Sequence, residues 1–244
     1  MLTEPTLEKL ATLKLAGMAR AWHAQQKDPE LHALAFDERF GLLVDAEWIE
    51  RQNKRLARAL HEARLRIPSA CLEDVDTSAR RDLDRRRVRE LAGCGWIAEH
   101  HNIAITGPTG AGKTYLACAL AQQACRSGFR ALYRRAPRLF DELTLARADG
   151  SYPRLLARLA RTDVLVVDDW GLVPVAESER RDLLEIMEDR YGHRSTILAS
   201  QLPVEKWHDQ IGDPSLADAI CDRLLHHAHR IVLQGESRRK KTNP

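Results

Sequence analysis

The segment from residue 107 to residue 114 constrains this chain more than any other. It matches the pattern G-x-x-x-x-G-K-[ST] at every defined position, follows the short apolar run 103–106 and precedes a helix-like stretch, 115–125. Strand, glycine loop and helix in this order form a phosphate-binding loop, since glycine lets backbone N–H groups close around phosphate oxygens. The helix N-terminus adds partial positive charge. The pattern predicts a nucleoside triphosphate site; the alternative is a glycine turn before an ordinary helix.

The loop also predicts individual roles. Lys113 is placed to reach the β- and γ-phosphates, and the Thr114 hydroxyl is placed to ligate Mg²⁺. The predicted nucleotide contacts are Gly107, Pro108, Thr109, Gly110, Ala111, Gly112, Lys113, Thr114 and Tyr115.

Composition limits the class of protein. The chain has 244 residues, 44% of them hydrophobic, which suits one large domain or a domain with a smaller one. We find no apolar run near the roughly 20 residues that span a bilayer, and the acidic N-terminus lacks a signal-peptide core. The five cysteines are scattered without a C-x-x-C pair. We therefore expect reduced thiols, a cytoplasmic location and no membrane partner.

Charge is distributed unevenly. The net charge is only +3, yet residues 101–161 carry 10 Lys/Arg against 3 Asp/Glu. This excess predicts a polyanion partner beyond the nucleotide. The histidines of 226–229 raise the alternative of metal binding, but no acid or cysteine stands at ligand spacing, so a structural role is preferred.

The first 68 residues predict a small all-α domain. Apolar residues at helical spacing from Leu7 to Trp22 predict one helix of about 20 residues. A second helix should have an apolar face formed by Phe36, Phe40, Val44, Trp48, Leu56 and Leu60. This domain could bind DNA or a protein partner, or could simply pack as an appendage.

The rest of the chain divides into three parts. Residues 69–101 form a charged connector whose stretch 80–89 is either a solvated helix face or a DNA contact. Residues 102–236 alternate strands and helices, which predicts a parallel sheet. Residues 237–244 form a basic tail. The strands are expected at 102–106, 129–133, 163–167, 195–199 and 229–233, and the helices at 113–127, 137–148, 152–161, 178–191 and 215–226.

Two acids after a buried strand complete the nucleotide site. Val164–Val167 is an unbroken apolar run, and Asp168 and Asp169 follow it. Asp168 is expected to hold Mg²⁺, and Asp169 to polarise the attacking water. A turn that merely begins with these acids is the alternative. At least one strand, 129–133, lies between the two motifs in the sequence. Nucleotide kinases usually place the two motif strands side by side, so we predict an ATPase instead, with sheet order 5-1-4-3-2. The expected ligands are ATP and Mg²⁺.

Two further residues are candidates for catalysis. Gln201 follows the strand at 195–199, where a side chain that donates and accepts hydrogen bonds can sense the γ-phosphate; a strand-end turn residue is the alternative. Arg223 lies at the end of the last helix and is a candidate arginine finger toward a neighbouring subunit, or else a surface charge.

Five motifs together resemble the IstB-like ATPases, the helpers of a transposase in one class of bacterial insertion sequences. They are Gly107–Thr114, the Ala-Asp-Gly-Ser-Tyr stretch 148–152, the Asp-Asp-Trp-Gly-Leu stretch 168–172, the Ser-Gln-Leu-Pro stretch 200–203 and the Gly-Glu-Ser-Arg-Arg-Lys stretch 235–240. The resemblance implies an AAA+ core behind a helical region, and a close relationship to bacterial helicase loaders. Many loaders have Asn where this chain has Gln201. No helical lid is expected after the last strand, so Arg238 or Arg239 would substitute in part for a lid arginine.

The resemblance further implies an ATP-dependent oligomer that binds duplex DNA and recruits or stimulates its transposase. Assembly would be a ring or helical filament, completed in each site by Arg223 of a neighbour and dismantled or remodelled by hydrolysis. Expected phosphate contacts are Arg134, Arg135, Arg138, Arg147 and Arg154, with Arg130 and Arg158 in the same basic segment. A helicase loader and a small-molecule kinase are the alternatives; response of the ATPase to duplex DNA or to a metabolite would separate DNA-dependent from kinase activity.

Overall fold

The structure of the chain is a computed structural model that describes residues 3–77 and 83–235. Contacts divide the chain into two units, Met1–Arg58 and Ala59–Pro244. The sequence places the end of the helical domain ten residues later, at residue 68. In the part of the chain that the structure describes, none of the helices combines the length and apolar composition that a membrane crossing requires.

The first unit is helical. It contains α1 (Thr3–Thr12), α2 (Ala16–Gln25), α3 (Pro29–His32) and most of α4 (Phe36–Ala63). The single helix expected from Leu7 to Trp22 is wrong, because the chain turns at Lys14, whose φ is +57°. Residues with positive φ cannot continue a right-handed helix. The stripe of apolar residues is therefore shared by two helices.

A carboxylate on α4 takes the place of a cap for α2. The residue before α2, Leu15, offers no side-chain hydrogen bond, and Glu47 Oε2 accepts from the backbone N–H groups of Gly17 at 2.8 Å and Met18 at 3.2 Å. A hydrogen bond from Arg51 lowers the pKa of Glu47. A Cβ on Gly17 would lie 2.6 Å from the carbonyl oxygen of Ala46, so only glycine permits this approach.

Part of the apolar face of α4 is open to solvent. Phe36, Phe40, Val44 and Trp48 recur every four residues and are exposed by 74%, 51%, 43% and 64%. The Phe36 and Phe40 rings stack with centroids 6.0 Å apart. The apolar face expected for this helix is therefore open at these four residues, whereas Leu43 and Glu47 on the same helix are buried.

The second unit contains one parallel sheet, formed by five strands of the described residues. They are β1 (Asn102–Thr106), β2 (Ala131–Arg135), β3 (Val164–Trp170), β4 (Ser195–Ser200) and β5 (Ala228–Val232). The order is β2-β3-β4-β1-β5, and every neighbouring pair is parallel. The predicted order is confirmed: β4 separates the strand before the glycine loop from the strand before the acids.

Only β2 begins clearly later than expected, at residue 131 instead of 129. The reason is the end of the preceding helix, where Phe129 N donates to Ala124 O at 2.9 Å and Gly128 N to Cys125 O at 3.0 Å. Gly128 has φ +90°. This is a Schellman motif, which keeps residues 127–129 out of the sheet.

Helices cover both faces of the sheet, as the alternating pattern predicts. In chain order they are the end of α4, a 3₁₀ turn (Leu72–Asp74), α5 (Arg85–Ala92), α6 (Gly95–Ala98), α7 (Lys113–Arg126), α8 (Ala136–Asp149), α9 (Tyr152–Arg161), α10 (Glu177–Arg190), a second 3₁₀ turn (Val204–Lys206), α11 (Trp207–Ile211) and α12 (Pro214–Leu225). Short α6 and α11 had no sequence signal. Of the charged stretch 80–89, residues 80–82 lie outside the described residues, and residues 85–89 lie in α5.

The core explains the apolar strands. Strand β4 is buried along its whole length and β3 at every residue except Asp169. At the amino ends of the strands, Arg190 is only 1% exposed and donates to Thr162 O at 2.8 Å and to Thr196 Oγ1 at 3.1 Å. Asn102 links β1 to the end of α12 by donating to Arg223 O at 3.0 Å. These bonds fix the edge opposite the glycine loop.

The histidines of 226–229 lie near this opposite edge. His227 stacks on His101 with centroids 5.4 Å apart, and His229 Nδ1 lies 2.7 Å from Arg87 Nη2. Burial, followed by the charge of Arg87, lowers the pKa of His229.

Candidate functional site

The glycine loop lies at the carboxyl end of β1 and leads directly into α7. Gly107 has φ +147°, and a Cβ there would lie 2.3 Å from Leu233 O. Gly112, the residue before α7, has φ +100°, and a Cβ there would point into open space. The first turn of α7 has no acid and no side-chain cap, so no side chain of this turn neutralises the positive end of the helix at the loop. The loop therefore has the shape and charge of a phosphate cradle.

Lys113 crosses this cradle. Its Nζ donates to Gly107 O at 2.7 Å and to Pro108 O at 2.9 Å, and the residue is 9% exposed. The ammonium group is thus held inside the loop, where a phosphate would be bound.

Thr114 and Asp168 meet, although 54 residues separate them. Thr114 Oγ1 donates to Asp168 Oδ2 at 2.8 Å, and Asp168 is 1% exposed. A buried carboxylate beside a hydroxyl is the all-oxygen donor set that Mg²⁺ prefers. The residues present fit a magnesium ion.

Tyr133 is a third member of this group that the sequence did not indicate. Its hydroxyl donates to Asp168 Oδ2 at 2.6 Å. Burial and then the hydrogen bond to Asp168 raise the pKa of Tyr133, so the hydroxyl stays protonated at neutral pH and remains a donor. The phenol orients the carboxylate. The only sequence signal was its place near the end of a predicted strand.

Asp169 occupies a special backbone position. Its φ is +58°, and the register of β3 shifts between Val167 and Trp170. Few non-glycine residues adopt this conformation, and such residues cluster at functional sites. The backbone N–H of Asp169 donates to Asp168 Oδ1 at 2.9 Å. The bulge turns the Asp169 carboxylate out of the buried strand and leaves its side chain 19% exposed.

Two arginines bind the Asp169 carboxylate. Arg135 Nε lies 2.7 Å and Arg66 Nη1 lies 3.3 Å from Oδ2. Arg66 Nη1 is also 3.9 Å from Asp168 Oδ2. The hydrogen bond with Tyr133, together with both acids, raises the pKa of Arg66. The sequence predicted Arg135 as a DNA contact and indicated no role for Arg66.

Gln201 is brought to the loop by sheet pairing. Strand β4 lies beside β1, with Ser200 opposite Thr106. Thr109 Oγ1 donates to Gln201 Oε1 at 2.8 Å. The carboxamide therefore lies at the phosphate loop, and its role as a sensor of the γ-phosphate stays a prediction.

Arg223 lies at the amino ends of the strands, whereas the glycine loop lies at their carboxyl ends. Its carbonyl is bound by Asn102, the first residue of β1, whereas the loop follows the last residue. At about 3.3 Å per residue, these ends are about 13 Å apart. The guanidinium is paired with Glu188 on α10, with Nη2 2.9 Å from Oε1. Arg223 is thus not part of its own subunit's phosphate site.

A small pocket of about 30 Å³ adjoins the loop on its connector side. Its walls include Val75, Asp76, Leu83, Gly112, Tyr115 and Leu233. The Tyr115 hydroxyl accepts from Cys71 N at 3.4 Å, which ties the connector to α7. Apolar residues within the charged connector were the available sequence signal for this contact.

The predicted DNA contacts fall into different environments. Arg134 is a correction: its side chain is 7% exposed and its Nε lies 2.9 Å from Glu142 Oε2, so it stabilises the fold and cannot reach a phosphate. Arg147 pairs with Asp182 and lies over the Tyr152 ring. Arg138 and Arg154 are exposed and have no acidic partner among the described residues.

Comparison with known proteins decides the family. The model of the IstB-like ATP binding proteins matches residues 8–244. The chain belongs to this family. A Sinorhizobium fredii protein named as an insertion-sequence ATP-binding protein is 52% identical over 98% of each chain. A Pseudomonas fluorescens protein named for the insertion sequence IS1162 is 53% identical over 83% of this chain and 88% of its own.

Solved structures show the same fold at low identity. The crystal structure of the DnaC helicase loader has a TM-score of 0.57 and 20% identity, covering 68% of this chain and 97% of its own. That of DnaI has a TM-score of 0.59 and 21% identity, covering 73% and 94%. This member of the IstB-like family therefore shares the fold of these two proteins over 68% and 73% of its length.

Proposed function

We propose that this protein is a Mg²⁺-dependent ATPase that assembles on duplex DNA and assists a transposase in the cytoplasm. The observation that carries the proposal is the contact between Thr114 and Asp168 beside Lys113. It joins both halves of a nucleotide site in a chain whose relatives are named as insertion-sequence ATP-binding proteins.

The roles of the side chains follow from their positions. Lys113 would exchange its two carbonyl contacts for β- and γ-phosphate oxygens. Thr114 and Asp168 would hold Mg²⁺, which neutralises charge on the phosphates when bound. Tyr133 keeps Asp168 oriented.

Hydrolysis needs a water molecule aimed at the γ-phosphate. Asp169 has a partly exposed carboxylate beside the magnesium ligands and would polarise this water. Gln201, held at the loop by Thr109, would sense the γ-phosphate and orient the same water. The two groups approach from adjacent strand ends, β3 and β4.

The position of Arg223 supports self-association. A residue at the amino ends of the strands cannot reach the phosphate site of its own subunit, but it can reach the phosphate site of a neighbour packed head to tail. Such contacts are heterologous and generate rings or helical filaments. ATP would then stabilise the assembly, because the γ-phosphate is read by two subunits.

Replacing Arg223 by Ala is expected to lower ATP turnover by about a thousandfold, the usual worth of an arginine finger, while ATP affinity of the isolated subunit changes little. Steady-state turnover and nucleotide titration measure the two quantities.

Glu188→Gln is the matched control, because it breaks the same ion pair but keeps the guanidinium. An equal loss of ATP turnover in both variants would mean that the ion pair matters, and the assignment of Arg223 as an arginine finger would be rejected.

DNA binding rests on exposed arginines of the basic segment. Arg154, Arg158 and Arg161 lie on α9, and with Arg130 they line one open groove. Guanidinium groups along a groove suit a phosphate backbone and carry little base specificity.

The proposal is tested by mixing the protein with duplex DNA and a slowly hydrolysed ATP analogue. Electron microscopy is expected to show a ring or spiral around DNA, and DNA is expected to raise ATP turnover. Particles that remain single subunits at all concentrations, with turnover indifferent to DNA, would refute the proposal.

A helicase loader is the second candidate. The likeness of this chain to DnaC concerns the fold alone, whereas relatives of 52% and 53% identity carry insertion-sequence names. A small-molecule kinase is disfavoured, because β4 lies between the two motif strands.

A further inference from the structure

A cavity of about 400 Å³ lies beside Asp169, within the unit 59–244. Its lining is Arg64, Arg66, Tyr133, Arg134, Arg135, Arg138 and Glu142. No step proposed above uses it. Five of these seven residues are arginines, and Glu142 is the one acid among the seven.

The cavity has more guanidinium groups than acids to balance them. Arg134 is buried and paired with Glu142, so these two charges balance each other. Arg66 and Arg135 share a single oxygen of Asp169. Arg64 and Arg138 are exposed and face no acidic partner among residues 3–77 and 83–235. The remaining surface therefore attracts anions.

The segment that supplies Arg64 and Arg66 is fixed by its neighbours. Ala63 and Leu65 are 0% and 8% exposed, so the alternate residues Arg64 and Arg66 are directed outward. Arg64 has φ +50°, which ends α4. The two buried residues hold this short segment in place.

The two arginine contacts restrain Asp169. Two guanidinium groups fill the acceptor sites of Asp169 Oδ2 and hold the carboxylate in one orientation, so that it is not free to turn toward a water molecule. Arg135 approaches from the end of β2 and Arg66 from the segment after α4. Hydrolysis would thus be slow until these arginines find another anion.

We propose that this cavity binds phosphate groups of the DNA backbone, and that binding draws Arg66 and Arg135 away from Asp169 and so permits hydrolysis. The proposal rests on the proposed DNA-dependent ATPase. A phosphodiester offers two oxygens to a planar guanidinium fork and so competes well with a carboxylate. Arg64 and Arg138 would hold the phosphates at the mouth of the cavity.

The release of Asp169 from its two arginines is tested with the variants Arg66→Gln and Arg135→Gln. Their ATP turnover is measured with and without duplex DNA. Without DNA, each variant is expected to turn over ATP at least about fivefold faster than the wild type, since one restraining hydrogen bond is lost. Added DNA should then raise the rate less than about twofold, while ATP affinity is unchanged. Arg135→Lys should restore part of the DNA dependence.

Arg138→Gln tests the phosphate contact, because Arg138 lines the cavity without a hydrogen bond to Asp169. It should raise the DNA concentration for half-maximal stimulation by about tenfold and lessen its salt dependence. Inorganic phosphate at the same phosphate concentration should not stimulate; equal stimulation would overturn DNA as the ligand.

Arg181→Gln, in an exposed pair with Glu177 on α10, is the control and should behave as the wild type. The inference is overturned if Arg66→Gln and Arg135→Gln lose DNA-free turnover, or keep both wild-type turnover and wild-type stimulation. In either case a DNA-stimulated wild type would leave the proposed function standing. A wild type that ignores DNA would refute both.

Discussion

Replacing Lys113 by Ala is expected to weaken ATP affinity by about 100-fold or more. The substitution removes a buried ammonium that would make charge-assisted bonds to two phosphates, worth about 1.5–3 kcal/mol each, and about 1.4 kcal/mol corresponds to tenfold. It also leaves Gly107 O and Pro108 O without the donor they now have. Titration with a fluorescent ATP analogue measures the effect.

Lys206→Ala removes an exposed lysine from the same unit and serves as the control. It should bind nucleotide as the wild type does. Wild-type affinity in Lys113→Ala would contradict the assignment of the phosphate loop.

Replacing Asp169 by Asn is expected to reduce ATP turnover by about 100- to 10,000-fold, because the amide cannot act as a general base. ATP binding and assembly on DNA should persist, since Lys113, Thr114 and Asp168 are unchanged. Single-turnover hydrolysis, nucleotide titration and electron microscopy separate the three properties.

Asp163→Asn is a matched control at the other end of β3. Asp163 also faces two arginines, Arg130 and Arg194, each at 3.5 Å, but it precedes the strand and lies far from the loop. Its turnover should equal that of the wild type. Normal hydrolysis by Asp169→Asn would place the base elsewhere.

Much of the fold could be predicted because its signals are local. Apolar runs marked β1, β3 and β4, and glycine and proline marked their ends. The sheet order followed from the intervening strand and was confirmed. The break at Lys14 escaped detection, because an apolar stripe continues across two helices even where the backbone does not.

The candidate site could be predicted where its residues belong to local motifs. Lys113, Thr114 and the two acids belong to motifs whose spacing is fixed by one loop or one strand end. Tyr133 and Gln201 lie at strand ends that sheet pairing brings to the loop. Arg134 was misassigned because a charge count cannot distinguish a buried ion pair from an exposed phosphate contact.

The sequence by itself determined that this chain binds a nucleoside triphosphate on a parallel sheet, because phosphate recognition needs contiguous glycine, lysine and hydroxyl groups. Only the tertiary structure decided which groups surround Asp169. Arg66 is 103 residues away in the chain and Arg135 is 34 residues away. Such partners depend on how β2, β3 and the segment after α4 pack, and packing leaves no local pattern in the sequence.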